Sequence, residues 1–473
     1  MTTSSSGDQR PNILLIYTDQ QRWSALGANG NPHIRTPNLD RLAARGTNFD
    51  HCFVQNPVCM PSRISLFSGR YPSSLGITHM GVPVPETLPI LPKMLKPYGY
   101  RTANFGKLHF LPHANRDHRE AHPDYGFDCL EVSDEPGVYE DAYRAWVRAK
   151  APDQLDCLSV GLPPARHTWL KMMGASDTVN HPSAEGRDDF KGAVVFPGRE
   201  DITHSAFVGA RTVDYISRQH VDGDPFFCVA SFFAPHAPWF IPQRFLDEYD
   251  PQELGFPDCP AEDDMSTEQS RNRLLSARQG YYAAVTEVDL YVGQILEALE
   301  ANGLAERTII VFTSDHGEWL GEYGRWGKSC PGSDVISRVP MIVYDPRHPT
   351  GQACTRIVES VDLVPTLLDL AAIQPMSRLH GSSFAAAVRG QPFEGKEAAL
   401  MEFNGWKNIR TESHRYLLYE DGREQLWDLE EDPCESRDVA ADPARQEVLA
   451  KHRLLMLRRM LEMERPLPRS WQY

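Results

Sequence analysis

Cys59-Met60-Pro61-Ser62-Arg63, running on to Ser68-Gly69-Arg70, sets reactive groups at helical spacing. Pro61 is tolerated in a first helical turn, and Gly69 is placed to end a short helix. Cys59 then lies at a helix N-terminus, with Arg63 one turn on and on the same face. Free N–H groups, the positive end of the helix dipole and a guanidinium converge on one sulfur. That setting favours a thiolate or a bound anion. The plain alternative is a buried, inert core cysteine. Three apolar runs elsewhere end in groups of one chemical kind. Asp19 follows the run 13–17, His236 follows 225–233, and Asp315-His316 follows 308–312. Carboxylates and imidazoles at the ends of parallel strands meet in one crevice. Asp19, Asp315 and His316 offer mixed oxygen and nitrogen ligands to a hard or borderline divalent ion.

Such a crevice needs buried strands with helices over them. The runs at 13–17, 225–233, 308–312 and 339–344 are continuous and apolar, as strands covered on both faces are. A fifth short strand is expected at 100–105, leading into Gly106-Lys107-Leu108-His109. Thr36-Pro37 opens a helix that Gly46 closes. Helices are also expected at 203–216, 274–299 and 361–372, the last with Pro365 in its first turn, and a further one at 139–150. Residues from about 111 to 200 are rich in His, Pro, Asp and aromatics without strong periodicity, which reads as a functional insertion. Beyond residue 375 the texture changes to short alternating strands at 410–419 and 424–429 around Asp421-Gly422, then an amphipathic helix at 444–463. The expected fold is α/β. A short frayed N-terminus (1–10) precedes a catalytic domain with a large, mostly parallel sheet (11–375). A smaller C-terminal α+β subdomain follows (376–473).

Bulk properties narrow the functional classes. The chain has 473 residues, 41% of them hydrophobic and 24% charged, as in ordinary globular protein. Its formal charge of −16 argues against a broad nucleic-acid or anionic-membrane surface. The nine cysteines are scattered, with no CxxC pair. Neither a disulfide framework nor a zinc knuckle is expected, and a reducing compartment fits best. The first apolar run is too short for a signal segment or a membrane span, so the expected location is cytoplasmic.

Cys59-x-Pro61-Ser62-Arg63 with Ser68-Gly69-Arg70 resembles the signature of the type I sulfatases of the alkaline phosphatase superfamily. The resemblance extends over most of the chain. It takes in Asp19-Gln20, Thr36-Pro37-Asn38-Leu39-Asp40-Arg41-Leu42, Gly106-Lys107-x-His109, Pro235-His236-x-Pro238 and Thr313-Ser314-Asp315-His316-Gly317-Glu318. Trp326-Gly327-Lys328 and Leu426-Trp427-Asp428-Leu429 complete it. It implies hydrolysis of a sulfate ester, with Cys59 oxidised to Cα-formylglycine by a maturase. The aldehyde hydrate is the nucleophile, and a covalent sulfo-enzyme forms. It further implies Asp19, Gln20, residue 59, Asp315 and His316 around one divalent metal, with Ca²⁺ usual in the family. Relatives often carry a carboxylate where Gln20 stands and Asn where His316 stands, which leaves Mn²⁺, Mg²⁺ and Zn²⁺ open. Arg63 is implied to hold residue 59, Lys107 and Lys328 to clamp sulfate oxygens, His109 to release sulfate, and His236 to assist the leaving alkoxide. The rival from the same superfamily is a phosphonate monoester or phosphodiester hydrolase. An inactive anion- or metal-binding homologue is a third reading. The particular ester, small-molecule or carbohydrate, and the oligomeric state stay open.

Overall fold

The computed structural model describes residues 10–464, apart from 114–115, 138, 159–170, 172–191, 220, 222, 329–330 and 376–377. Fourteen strands follow one another in these residues. They are β1 (Asn12–Asp19), β2 (Thr47–Phe53), β3 (Arg101–Gly106), β4 (Cys129–Val132), β5 (Ala193–Val195), β6 (Phe226–Pro235), β7 (Trp239–Ile241), β8 (Thr308–Ser314), β9 (Met341–Tyr344), β10 (Gln352–Glu359), β11 (Ala399–Phe403), β12 (Trp406–Arg410), β13 (His414–Tyr419) and β14 (Glu424–Asp428). Eight form one sheet in the order β10-β2-β9-β8-β1-β6-β3-β4. All neighbours in it run parallel except β9, which is antiparallel to β2 and β8. The α/β reading holds.

Alternation along each central strand divides the core in two. Ile13, Leu15, Tyr17, Phe227 and Val229 face one side, where Leu363, Val364 and Leu367 cover them. Leu14, Ile16, Cys228 and Ala230 face the other, under Val288, Val292 and Ile295 of the long helix Glu268–Ala301. Both faces are dry, which is why these strands read as unbroken apolar runs. The long helix begins six residues before the expected 274, because the Thr267 side chain caps it by accepting from Ser270 N. Helix α1 (Pro37–Ala43) opens at Pro37, and the helix Leu363–Leu370 carries Pro365 in its first turn, as expected.

The second sheet, β11-β12-β13-β14, is wholly antiparallel. Leu400, Ile409, Tyr416 and Leu426 from it pack with Leu449 and Met456 of the terminal helix Gln446–Met463, and with Tyr71 and Val361 of the larger body. The strand expected over 410–419 is β13, which starts only at His414, and Arg410 already ends the preceding β12. Thr411 N donates to His414 O at 2.9 Å and closes the turn between them. Of the insertion, β4, β5 and the helix Ala142–Lys150 are seen. Much of the remainder, like residues 1–9, lies outside the described residues.

The expectation of unpaired thiols is corrected at one place. Cys259 and Cys434 form a disulfide across 175 residues of sequence. No local spacing signals such a pair, because the fold alone brings the two loops together. It also removes cysteine usage as an argument for a reducing compartment. Among the described residues no helix is long and apolar enough to cross a membrane.

Candidate active site

Four adjacent parallel strands, β8, β1, β6 and β3, end side by side, and each end delivers a polar group. Thr18 pairs with Ser314 and Asp19 with Pro235, so Asp19, Asp315 and His236 emerge together. Gly106 pairs with Ser231 one strand further on. A Cβ on Gly106 would lie 2.0 Å from Ser231 O, so only glycine allows the close approach in which Lys107 N donates to that oxygen at 2.9 Å. Lys107 and His109 follow directly.

Helix α2 (Cys59–Ser68) lies over these ends with Cys59 at its first position. Gly69 closes it at φ 65, as its placement predicts. Every residue of the helix is buried. Ser62 Oγ donates to Asp315 O at 2.5 Å, and Arg63 Nε to Asp315 Oδ2 at 2.8 Å. Arg63 Nη1 reaches Lys107 O and Ser231 Oγ, both at 3.1 Å, and the guanidinium lies 4.6 Å from the Tyr17 ring centre. One buried cation thus ties helix α2 to the ends of three strands.

Cys59 Sγ is the focus. Lys328 Nζ is 2.7 Å away, His316 Nε2 3.2 Å and Asp19 Oδ1 3.7 Å. Lys328 Nζ is also 3.0 Å from His236 Nε2 and 3.2 Å from Gln20 Oε1. Lys107 Nζ pairs with Asp19 Oδ2 at 2.5 Å. Lys328, given a role only by the resemblance, is therefore in contact with Cys59. Ser329 and Cys330, which follow it, lie outside the described residues.

Asp19, Cys59, Asp315 and His316 hold one ligand atom each within 4.8 Å of all the others. His316 Nδ1 donates to Gly317 O at 2.8 Å, which leaves Nε2 as a bare lone pair facing both carboxylates. Burial holds the His316 imidazole below its usual range, and neighbouring Asp315 offsets this only in part. Two carboxylates around a neutral imidazole nitrogen suit a divalent cation. Gln20 sits at the edge of this cluster. Its Nε2 donates to Glu318 and its Oε1 accepts from Lys328.

Ionisation follows from burial and charge together. Burial opposes the Asp19 carboxylate, but the cations Lys107, Lys328 and Arg63 hold it well below the usual range. Burial pushes the His236 imidazole well down, reinforced by Lys328. Burial and His113 do the same to His109. Both histidines are therefore neutral near pH 7. Burial disfavours the Lys328 ammonium, yet Cys59, Asp19 and Asp315 raise its proton affinity.

A family model for Sulfatase matches residues 11–373. The chain belongs to the sulfatase family. A second model, N-sulphoglucosamine sulphohydrolase C-terminal, matches 321–462. An arylsulfatase of Clostridium perfringens is 28% identical over 456 residues, covering 90% of this chain and 89% of that protein. An ulvan-active sulfatase of Formosa agariphila is 28% identical over 450 residues, covering 92% and 78%. The fold is also similar to that of a phosphonate monoester hydrolase of Agrobacterium radiobacter, with a TM-score of 0.79 at 24% identity and 96% of each chain covered. This protein is thus a sulfatase-type hydrolase of the alkaline phosphatase superfamily.

In this sulfatase the thiolate expectation for Cys59 does not hold. Burial, with the Asp19 charge, pushes the unmodified thiol up to about 11, and Lys328 and Lys107 offset this only in part. Glu318 enters the sequence reading only as the last residue of a motif, with no role, and Asp134 not at all. Glu318, buried, accepts from Leu320 N at 3.0 Å and Gly327 N at 2.5 Å and so holds the loop that carries Lys328. Asp134 accepts from the backbone of Leu108 and His109. It follows β4, so the rule that selected the other strand ends would have found it had β4 been recognised.

Proposed function

We propose that this sulfatase cleaves a sulfate monoester through a formylglycine at position 59, with a covalent sulfo-enzyme on the way. The observation that carries this reading is the company Cys59 keeps. A residue with 1% exposure has an ammonium at 2.7 Å, a neutral histidine at 3.2 Å, and two carboxylates and a guanidinium close by. Such a setting, acceptors on one side and an ammonium on the other, suits an oxygen held beside a divalent cation rather than a bare thiolate. The hydrated aldehyde supplies two hydroxyls on one carbon, one to attack sulfur in line and one to expel sulfate afterwards. Asp19, Asp315 and His316, with Gln20 beside them, are the proposed holders of one divalent ion, Ca²⁺ in the first instance. The ion supplies positive charge and lowers the proton affinity of an oxygen at residue 59.

The remaining roles belong to this chain's own groups. Arg63 neutralises charge beneath residue 59 and fixes its helix. Lys107 and Lys328 bind non-reacting sulfate oxygens. His236 Nε2 shares Lys328's proton at 3.0 Å, so the pair can meet the departing alkoxide with an ammonium while the imidazole stays neutral. His109, neutral and buried, accepts the proton whose loss releases sulfate. A maturase is required to produce the active form.

A second reading has two observations behind it. The similar fold of a phosphonate monoester hydrolase and the Asp315-His316 pair in the ligand cluster both suit cleavage of a phosphonate monoester or phosphodiester. Rates of matured protein on an aryl sulfate, a phosphonate monoester and a phosphodiester, measured side by side, decide the matter. The sulfate ester is expected to be turned over fastest, and a clear preference for either phosphorus ester overturns the choice.

A further inference from the structure

We infer that Asp134 is a positioning residue for His109 and acts on sulfate release rather than on substrate capture. The inference rests on the proposed role of His109 as the releasing base.

His109 has φ 55, a left-handed conformation that non-glycine residues rarely adopt unless something holds them there. The holder is Asp134, 1% exposed. Its Oδ1 accepts from Leu108 N at 2.9 Å and from His109 N at 2.7 Å. The partner segment is anchored in turn, since Ser133 N donates to Gly106 O at 3.0 Å as β4 runs alongside β3. The second carboxylate oxygen of Asp134 faces His113, with Nδ1 at 3.8 Å. The His113 ring packs on His109 with centroids 4.0 Å apart. One oxygen of this carboxylate thus sets the backbone of His109, and the other lies beside the ring packed behind it.

The His109 imidazole itself makes no hydrogen bond among the described residues, and both of its nitrogens are buried. The charges around it are those of Lys107, Arg63 and Asp19, the groups of the reaction centre. Its aim is therefore set by its backbone, which Asp134 holds, and by packing against His113.

In the release step His109 takes the proton of the residue 59 hydroxyl that bears no sulfate. The freed electron pair forms the carbonyl, and the bond between that carbon and the sulfate oxygen breaks. Sulfate leaves with the bonding pair, the aldehyde is restored, and His109 passes its proton to solvent. When this step alone slows, kcat and KM fall by the same factor while kcat/KM stays unchanged, and sulfated protein accumulates.

The test uses full-length protein matured at Cys59 with 4-nitrophenyl sulfate. It follows the nitrophenolate burst and the mass of the residue 59 peptide after acid quenching. D134A should lower kcat and KM together by about tenfold to a hundredfold, with a stoichiometric burst and a sulfated peptide. D134N, which keeps an oxygen for both amides, should restore most of the rate. H109A should show the same signature with a loss of about 10²–10⁴. If D134A fails to fold, D134S, whose hydroxyl is too short to serve both amides, replaces it. A fall in kcat/KM without a burst in the Asp134 variants, beside a burst in H109A, overturns the inference. Absence of a burst in H109A overturns the reading of His109, and the inference falls with it.

Discussion

Lys328→Met separates two tasks that the position of Lys328 allows. The ammonium contacts Cys59 Sγ at 2.7 Å and His236 Nε2 at 3.0 Å, so it can hold a sulfate oxygen or meet the departing alkoxide. The carboxylates of Asp19 and Asp315 keep it protonated against the cost of burial. A well-placed acid contributes about 10²–10⁴ in rate. At about 1.36 kcal/mol per factor of ten, that is roughly 3–5 kcal/mol. How much of it is used depends on the leaving group. A nitrophenolate carries its charge unaided, whereas an unsubstituted phenol, with a pKa near that of tyrosine at about 10, needs help, and an alkyl alcohol needs more. The assay is kcat/KM for a series of substituted phenyl sulfates and one alkyl sulfate, plotted against the leaving-group pKa. The slope should steepen in the variant, with a loss of about a hundredfold or more for the alkyl ester and little for nitrophenyl sulfate. Parallel lines for parent and variant would refute the leaving-group role and leave Lys328 as a clamp on the non-reacting oxygens.

Cys59→Ser cannot regenerate an aldehyde, so it should complete at most one turnover. Intact mass after incubation with an aryl sulfate should show a stable sulfated serine, and continued turnover would contradict the proposed release step. Glu359 lies far from the reaction centre in sequence and accepts from Lys396, Arg459, Tyr71 Oη and Leu400 N. Burial opposes its charge, but Lys396 and Arg459 bring its carboxyl down to about 2. A depressed carboxylate stabilises the fold above its unfolded value, about 4.3, and that stability is lost as pH falls through about 2. Glu359→Gln should therefore cost about 3–5 kcal/mol in urea melts near pH 7. The gap from the parent should close as the acid range is entered, and a gap independent of pH between 5 and 2, roughly the window of that titration, would exclude this cause.

The sequence was most informative where one physical constraint dominates. Residues 13–17, 225–233 and 308–312 are buried on both faces of the sheet, so nothing competes with apolar character and the strands stand out. Their polar ends stand out for the same reason, which made Asp19, His236, Asp315 and His316 visible before any resemblance was invoked. β2 and β10 hid because they sit toward one edge of the sheet and mix polar with apolar positions, as in Thr47-Asn48-Phe49-Asp50-His51. Lys107, His109 and Lys328 were legible only through motif context, since isolated lysines and histidines carry no periodicity. The disulfide was illegible because its partners are brought together by tertiary structure alone. The thiolate argument failed through magnitude. A helix N-terminus contributes about 0.3–1 kcal/mol, and complete burial beside Asp19 outweighs it.

The choice between sulfur and phosphorus substrates turns on shape rather than net charge. Sulfate monoesters, phosphonate monoesters and phosphodiesters all present a single negative charge, so the surplus of cations around Cys59 attracts each of them. They differ in their terminal oxygens. A sulfate monoester has three, whereas a phosphonate monoester has two and a carbon substituent in place of the third. A site for the phosphonate needs donors on two sides and an apolar wall on the remaining one. The aromatic wall here is Phe233, and the Lys107 ammonium lies over it at 4.8 Å from the ring centre while pairing with Asp19. A cation thus stands before the apolar surface that a phosphonate substituent would want. Lys107 is also 2% exposed, so it cannot swing aside into solvent without opening the buried cluster. A bound anion would then meet a cation on that side rather than an apolar wall, which supports the proposed preference for a sulfate ester.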